Sequence, residues 1–290
     1  QDIHRVTDRM NELLYQEEMM WLQRSRISWL KEGDRNTKFF KNKAVWRARK
    51  NKIRQLTDSV GVVHSEFAVM SEIANKYFHE IFSADATLVA APVLDLLEPM
   101  VTDEDNAKLC APFSNKEIAD AMFQIGPLKA PGPDGFPARF FQRNWSIVRD
   151  DVIAAVKDFF DTGIMPEGVN STSIVLIPKN SNPAKISDYR PISLCNVIYK
   201  VISKCLVNRL RPLLDTLVSP EQSAFVPGRM ITDNALVAFE CLHYIKQEKD
   251  PTMSFCAYKL DLSKAYDRVD WVFLEQVMQK RGFTQRWIDW

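Results

Sequence analysis

A short proline-rich segment, residues 127–137, constrains the fold of this chain more than any other feature. Four prolines and two glycines fall within these eleven positions. Proline lacks a backbone N–H and fixes φ, so neither a helix interior nor a central strand can run through the segment. We predict an ordered loop of tight turns, with one helix ending before it and another beginning after it.

The spacing of hydrophobic residues predicts a mainly helical chain with a few strands. A capping box at Ser114 and Glu117 predicts the start of the helix that ends before the proline-rich loop. Residues 173–178 are rich in β-branched side chains and are predicted to form a buried strand, and 254–262 a second strand. Further helices are predicted over residues 3–29, 66–82, 192–214, 232–249 and 270–280.

Positive charge is concentrated in one stretch of the sequence. Residues 21–54 hold twelve basic and two acidic side chains, a local charge of +10, whereas the whole chain carries only +1. Gly33 and Asp34 predict the end of one helix and the start of a second, basic helix. We predict that this helix binds nucleic acid through phosphates, the alternative being a solvated surface. The candidate contacts are Lys38, Lys41, Lys43, Arg47, Arg49 and Lys50.

The aromatic residues of the basic helix lead to a separate prediction. Phe39, Trp46 and Ile53 recur every seven positions and therefore share one stripe of the helix. Such rings could stack on bases. We expect them instead to pack inward and to form the buried face.

An aspartate in an apolar setting is the strongest candidate for catalytic chemistry. Asp261 lies between two leucines in the predicted strand 254–262, although aspartate is depleted in strands. A rigidly held carboxylate suits a hard cation such as Mg²⁺. From the residues alone, a turn-capping role for Asp261 is equally acceptable.

Several segments of the chain resemble, in the same order, the reverse transcriptases of LINE-type (non-LTR) retrotransposons. In chain order they are a segment found in plant-type members (29–40), the loop before the fingers (129–136), the fingers motif (177–179 and 188–194), the following motif (221–229) and the first catalytic motif (259–267).

The resemblance implies particular roles at the catalytic motif. Asp261 corresponds to the first metal-binding aspartate, and the carbonyl of Leu262 beside it contributes to a site for two Mg²⁺ ions. In such a polymerase a primer 3′-hydroxyl attacks the α-phosphate of a deoxynucleotide between the two ions. Tyr266 corresponds to the aromatic residue beneath the sugar that excludes a 2′-hydroxyl. The alternative for Tyr266 is a half-buried packing ring.

The fingers motif supplies the candidate nucleotide-binding residues. Arg190 corresponds to the arginine that lies against the incoming base and clamps the triphosphate, with Lys179 as its basic partner. A guanidinium is planar and forks onto phosphate oxygens, and Pro191 favours an extended backbone at Arg190. Two solvated surface charges are the alternative. Gln222 and Gly228 correspond to residues that back the template, although a simple turn accounts for Gly228 equally well.

The implied fold is α+β, of the right-hand polymerase type, in which a helical basic region precedes the fingers and the start of an incomplete palm. We expect a helical basic segment at 1–58, a helical connector at 59–112, fingers at 113–250, and the first palm strand and helix at 251–290. The adjacent acids Asp150 and Asp151 lie in a helical pattern and do not resemble the second catalytic motif. We expect that motif beyond residue 290, and the chain alone to be inactive.

The implied activity is RNA-directed DNA synthesis, with template RNA, primer DNA, deoxynucleotides and Mg²⁺ as partners. A noncatalytic nucleic-acid-binding remnant, or less closely a relative of intron maturases, is the alternative. No apolar run is long enough for a membrane span, and the five cysteines lack the spacing of a zinc site or a disulfide framework. We expect an intracellular protein, with the nucleus and cytoplasm as the locations that the family implies.

Overall fold

The computed structural model of the protein describes residues 2–25, 37–83, 91–248, 255–262 and 264–290. Within these ranges the chain is mainly helical, with two short antiparallel strand pairs. None of the helices described there combines the length and the apolar character needed to cross a bilayer. The predicted helix boundary at residues 33–34 lies outside the described ranges.

The helices and strands follow one another along the chain with short connections. The helices are α1 Asp2–Ser25, α2 Thr37–Asn51, α3 Phe67–Phe82, α4 Ala91–Leu94, α5 Asp103–Cys110, α6 Asn115–Gln124, α7 Ala138–Arg143, α8 Trp145–Thr162, α9 Val197–Leu210, α10 Leu214–Leu217, α11 Ile231–Gln247, α12 Trp271–Lys280 and α13 Gln285–Asp289. The strands are β1 Leu56–Thr57, β2 Val63–His64, β3 Thr172–Pro178 and β4 Tyr189–Cys195. Strand β1 pairs with β2, and β3 pairs with β4.

Two compact units make up the chain, each assembled from separate segments. The first unit comprises Gln1–Phe78, Ile125–Trp145 and Gly168–Val197. The second unit comprises His79–Gln124, Ser146–Glu167 and Ile198–Trp290. The four-part division expected from the sequence stays a prediction.

The core of the first unit joins its two strand pairs. Leu56 of β1, Ile186 and Tyr189 of β4 form a buried cluster. Because Tyr189 is anchored there, the β3–β4 hairpin is fixed to the unit by apolar burial. The partly buried side chains that pack against this cluster are Ile53, Met70, Ile73, Ala74, Tyr77, Phe78 and Leu176.

The second unit is built from helices alone in its described part. Val101, Leu109 of α5 and Trp287 of α13 form a buried cluster there. The predicted capping box at the start of α6 is confirmed, because Glu117 N–H donates to Ser114 Oγ at 3.2 Å and Ser114 N–H donates to a Glu117 carboxylate oxygen at 2.8 Å. Each side chain thus satisfies a backbone donor that the helix start leaves open.

Two predicted strands and one predicted helix have different outcomes in the structure. The strand at 173–178 is confirmed as β3, but its first residues are exposed and it is not a buried strand. The helix predicted over 192–214 begins only at Val197, because the residues up to Cys195 pair with β3. The strand predicted at 254–262 is wrong over the described residues 255–262, which have no strand beside them with which to pair.

Candidate nucleotide and nucleic-acid sites

The β3–β4 hairpin determines where the two candidate nucleotide-binding residues lie. Ile177 of β3 is directly opposite Arg190 of β4. Lys179 continues the ladder, because its N–H donates to the carbonyl of Asp188 at 2.8 Å. Since strand side chains alternate between faces and opposite residues share a face, Lys179 and Arg190 lie on the same face of the hairpin. The other face carries Leu176 and Tyr189, which pack in the core.

The connection between the two strands folds back, so that β4 runs antiparallel to β3. A carboxylate oxygen of Asp188 accepts the N–H groups of Ala184 and Lys185, both at 2.9 Å. These backbone hydrogen bonds, aided by the charges of Lys179 and Lys185, lower the pKa of Asp188. The ammonium of Lys179 donates to the carbonyl of Ser187 at 2.8 Å, so this lysine also holds the turn.

Arg190 differs from Lys179 in what its head group contacts. Its side chain is exposed, and in the described part of the protein no hydrogen bond or ion pair is recorded for its guanidinium. Neighbouring side chains on the same face are apolar and open to solvent, because Val175 is 40% exposed and its cross-strand partner Ile192 is 41% exposed. The face therefore combines a free planar cation with an apolar surface.

The proline-rich loop docks on the end of this hairpin. Asp134 N–H donates to the side-chain oxygen of Asn196 at 3.2 Å, and Asn196 in turn donates to the carbonyl of Gly168 at 2.9 Å. Gly132 approaches so closely that a Cβ there would lie 2.1 Å from Asn196 Oδ1 and 2.5 Å from its backbone nitrogen. The predicted ordered loop is confirmed, and the buried Asn196 that fastens it was missed by sequence reasoning.

A second loop, residues 219–229, is organised from inside by Arg229. The guanidinium donates to the carbonyls of Val218 at 3.0 Å, Ser219 at 2.5 Å and Gln222 at 2.9 Å. It also donates to both the carbonyl and the carboxylate of Asp215, at 3.0 and 2.9 Å. Because its N–H groups donate to several carbonyls of the loop and to Asp215, Arg229 holds the loop in one conformation.

The candidate template-binding residues Gln222 and Gly228 both lie in the Arg229 loop. Gln222 is exposed. Gly228 has φ +79°, with no atom near the position of a missing Cβ, which agrees with a turn role. The most unusual residue is Phe225, which has φ +66° and is 94% exposed. A positive φ in an aromatic residue is strained, and such strain is typical of functional loops.

The candidate catalytic residues are open to solvent in the second unit. Asp261 is exposed, and Leu262 and Tyr266 are 79% and 90% exposed. The carboxylate of Asp261 and the carbonyl of Leu262 are the hard oxygen donors that Mg²⁺ prefers. No group of three or more His, Cys, Asp or Glu side chains that could hold a metal ion occurs among the described residues.

The adjacent acids Asp150 and Asp151 lie on the exposed surface of α8. Arg149 contacts Asp150 at 3.3 Å. The prediction that this pair belongs to a helix is confirmed.

The basic helix α2 carries six cations and no acidic residue. Five of these side chains are exposed, whereas Arg47 is half-buried. None of the six forms an ion pair within the described residues. The helix is thus a dense, uncompensated patch of positive charge, made of Lys38, Lys41, Lys43, Arg47, Arg49 and Lys50.

The buried face of α2 is not the one expected. Trp46 is 57% exposed and Phe40 is only 3% exposed. The covered side runs through Phe40, Ala44 and Arg47, next to α1 and β3. The inward packing predicted for Trp46 is wrong, because the positions of α1 and β3 rather than the seven-residue spacing decide which stripe is covered.

Arg209 is a further residue that sequence reasoning missed. Its guanidinium lies 3.4 Å from the centre of the Phe113 ring and donates to Glu117 at 2.9 Å. It also donates to the carbonyls of Leu109, at 2.8 Å, and of Ala111 and Pro112. Partial burial acts to raise the pKa of Glu117, but the Arg209 and Ser114 hydrogen bonds hold it below its usual value. The partners are about ninety to one hundred positions apart in sequence, so no local pattern points to them.

Residues 177–290 match the reverse transcriptase (RNA-dependent DNA polymerase) family. This part of the chain begins in β3 and includes Arg190, the Arg229 loop and Asp261. These residues therefore match a reverse transcriptase domain, for which the family implies a polymerase fold.

Three proteins of transposable elements are similar to this chain over more than half of its length. The chain is 28% identical over 267 residues, 91% of its length, to the Transposon TX1 uncharacterized 149 kDa protein of Xenopus laevis. It is 24% identical over 56% of its length to the Retrovirus-related Pol polyprotein from type-2 retrotransposable element R2DM of Drosophila melanogaster. A Retrovirus-related Pol polyprotein from type-1 retrotransposable element R2 of Popillia japonica is 22% identical over 60% of the chain.

These relatives are much longer, and the chain spans 20%, 14% and 23% of their lengths. The family match over residues 177–290 and the similarity to these retrotransposon proteins support a LINE-type, non-LTR reverse transcriptase.

Proposed function

We propose that this chain supplies the fingers, at 113–250, and the first metal-binding motif of an RNA-directed DNA polymerase. The observation that supports it most directly is the two-faced β3–β4 hairpin. One face is fixed in the core by Tyr189, and the other carries Arg190 with no recorded partner. A guanidinium held on a rigid strand is suited to fork onto the phosphates of a deoxynucleotide, while its plane lies against the base.

The remaining candidate residues have distinct roles in this proposal. Lys179 lies on the same face as Arg190 and raises the positive potential there, although its ammonium also holds the hairpin turn. Gln222 and Gly228 lie behind the template strand and support it. Tyr266 lies beneath the sugar and excludes a 2′-hydroxyl.

Divalent ions, Mg²⁺ in our proposal, complete the site. The carboxylate of Asp261 and the carbonyl of Leu262 would bind one of them. When bound, such ions stabilise the attacking and leaving oxygens of nucleotidyl transfer.

Primer extension on an RNA template by a protein that contains this chain together with the second catalytic motif tests the polymerase proposal. Asp261→Ala should abolish incorporation. Arg190→Ala should raise the KM for deoxynucleotides by about 10- to 100-fold, since a charge-assisted phosphate contact is lost. Asp150→Ala, on the exposed surface of α8, is the matched control and should have no effect. Full activity of the Asp261→Ala variant would contradict the proposal.

We propose in addition that α2 binds the phosphates of template RNA. If about five of its cations meet phosphates, counterion release predicts a log–log salt slope of about −3.5 on single-stranded RNA. Replacing Lys41, Lys43, Arg49 and Lys50 with glutamine should flatten this slope and weaken binding equally for all sequences. Arg47 is left intact in this variant, because its half-buried side chain also contributes to packing. An unchanged slope would show that α2 is only a solvated surface.

The noncatalytic alternative predicts a different combination of results. RNA binding by α2 would then persist, while a protein with both catalytic motifs would incorporate no nucleotide.

A further inference from the structure

The exposed indole of Trp46 is the starting point for a second property of α2. Tryptophan is strongly buried on average, yet this ring is 57% exposed in the middle of a helix whose Phe40 is buried. The helix therefore turns one aromatic residue inward and leaves another on the surface.

Two ammonium groups lie beside this ring. Lys43 Nζ is 5.9 Å from the centre of the Trp46 ring, and Lys50 Nζ is 5.1 Å away. The two lysines are one helical turn before and one turn after Trp46, so they lie on the same side of the helix. We name Lys43, Trp46 and Lys50 the Trp46 platform.

The chemistry of the platform differs from that of a simple basic surface. A row of cations binds the phosphates of any polyanion and does not contact the faces of the bases. An exposed indole adds a flat apolar surface, and an unpaired base has a π-face that can stack on it. Bases in a duplex are stacked on one another and cannot do so without unpairing. The flanking ammonium groups can neutralise the phosphates on either side of a stacked base.

We propose that Trp46, flanked by Lys43 and Lys50, is a stacking site for an unpaired base and makes α2 a binding helix for single-stranded nucleic acid. This inference rests on the proposed phosphate binding by α2. The absence of acidic residues from the helix and the lack of ion pairs to its cations, in the part of the chain that the structure describes, favour a polyanion over a protein partner.

Binding of fluorescently labelled strands tests the inference with the whole chain. The probes are single-stranded RNA of about 16 nucleotides, single-stranded DNA of the same sequence, and the RNA duplex. Trp46→Ala should weaken binding of the single strands by about 5- to 150-fold and leave duplex binding and the salt slope unchanged. Trp46→Phe should restore part of the loss, since a smaller ring can still stack. Comparing the two single strands tells whether the site distinguishes RNA from DNA.

Val45→Ala is the matched control, because Val45 is also a partly exposed apolar residue of α2, at 37%. It should bind like the unaltered chain. Equal losses for duplex and single strand, or no loss in Trp46→Ala, would overturn the stacking site while leaving phosphate binding intact. Unfolding of Trp46→Ala would also overturn it, since the ring would then be packing against protein. A flat salt slope in the unaltered chain would instead contradict the proposed phosphate binding itself.

Discussion

Replacing Gly132 with alanine should destabilise the first unit through a clash and not through backbone strain. A Cβ at this position would lie 2.5 Å from the backbone nitrogen of Asn196 and 2.6 Å from the carbonyl carbon of Cys195, whereas real Cβ atoms essentially never come within 3.0 Å. Backbone atoms cannot rotate away as a side chain can. The loop must therefore move by roughly half an ångström or more.

The size of the effect follows from the contacts that this movement disturbs. Overpacking costs about 1–3 kcal/mol, and loss of the Asp134 to Asn196 hydrogen bond adds about 1 kcal/mol. We therefore expect Gly132→Ala to lower the free energy of unfolding by about 2–4 kcal/mol. The matched control is Gly135→Ala, three residues away, where φ is +76° and no atom lies within 4 Å of the new Cβ. Its cost is the left-handed conformation alone, about 1 kcal/mol.

Urea unfolding followed by circular dichroism measures both variants against the unaltered chain. The ranking is the decisive result, with Gly132→Ala clearly less stable than Gly135→Ala. If Gly132→Ala unfolded within about 0.5 kcal/mol of the unaltered chain, or if Gly135→Ala were the less stable variant, the close docking of the loop on Asn196 would be wrong.

Three further predictions concern the second unit. Arg209→Met should cost about 2–4 kcal/mol at neutral pH, because Glu117 and the carbonyls of Leu109, Ala111 and Pro112 lose their donor. Since the folded state lowers the pKa of Glu117, this stabilisation is present above the unfolded pKa and is lost as pH falls through the folded one. The difference in urea midpoint between variant and parent should therefore shrink below about pH 4. Burial raises the pKa of Cys205 to about 12, so iodoacetamide at mildly alkaline pH should label the exposed Cys241 more than about 100-fold faster, as read by peptide mass spectrometry; comparable labelling would contradict the burial. Arg229→Gln should speed amide hydrogen exchange throughout the loop that it fastens, and unchanged protection would mean that the loop is held by other contacts.

Local chemistry made part of this fold predictable from sequence. Ser114 and Glu117 are three positions apart, and the side chains that form a capping box need no information from elsewhere in the chain. The return of the chain from β3 to β4 depends on Asp188 and its near neighbours, which are equally local. Pro191 likewise favours an extended backbone at Arg190, which lies in β4.

Other features depend on residues far away in sequence and were missed or mistaken. Phe39 and Phe40 are neighbours about 100° apart on a helix, so two stripes were possible, and only the packing of α1 and β3 decides between them. The strand expected around Asp261 requires a paired strand, which no local pattern specifies. Arg209 and Asn196 gain their importance entirely from partners in distant segments.

The hydrogen bonds from Arg229 to its own loop affect the affinity of the template binding that we propose there. A flexible loop loses conformational entropy when a ligand orders it, and that loss is subtracted from the affinity. The Arg229 hydrogen bonds already order this loop in the free protein, and the Phe225 side chain is exposed there. Changes to Phe225 or Gln222 should therefore alter how long a bound strand stays more than how fast it arrives.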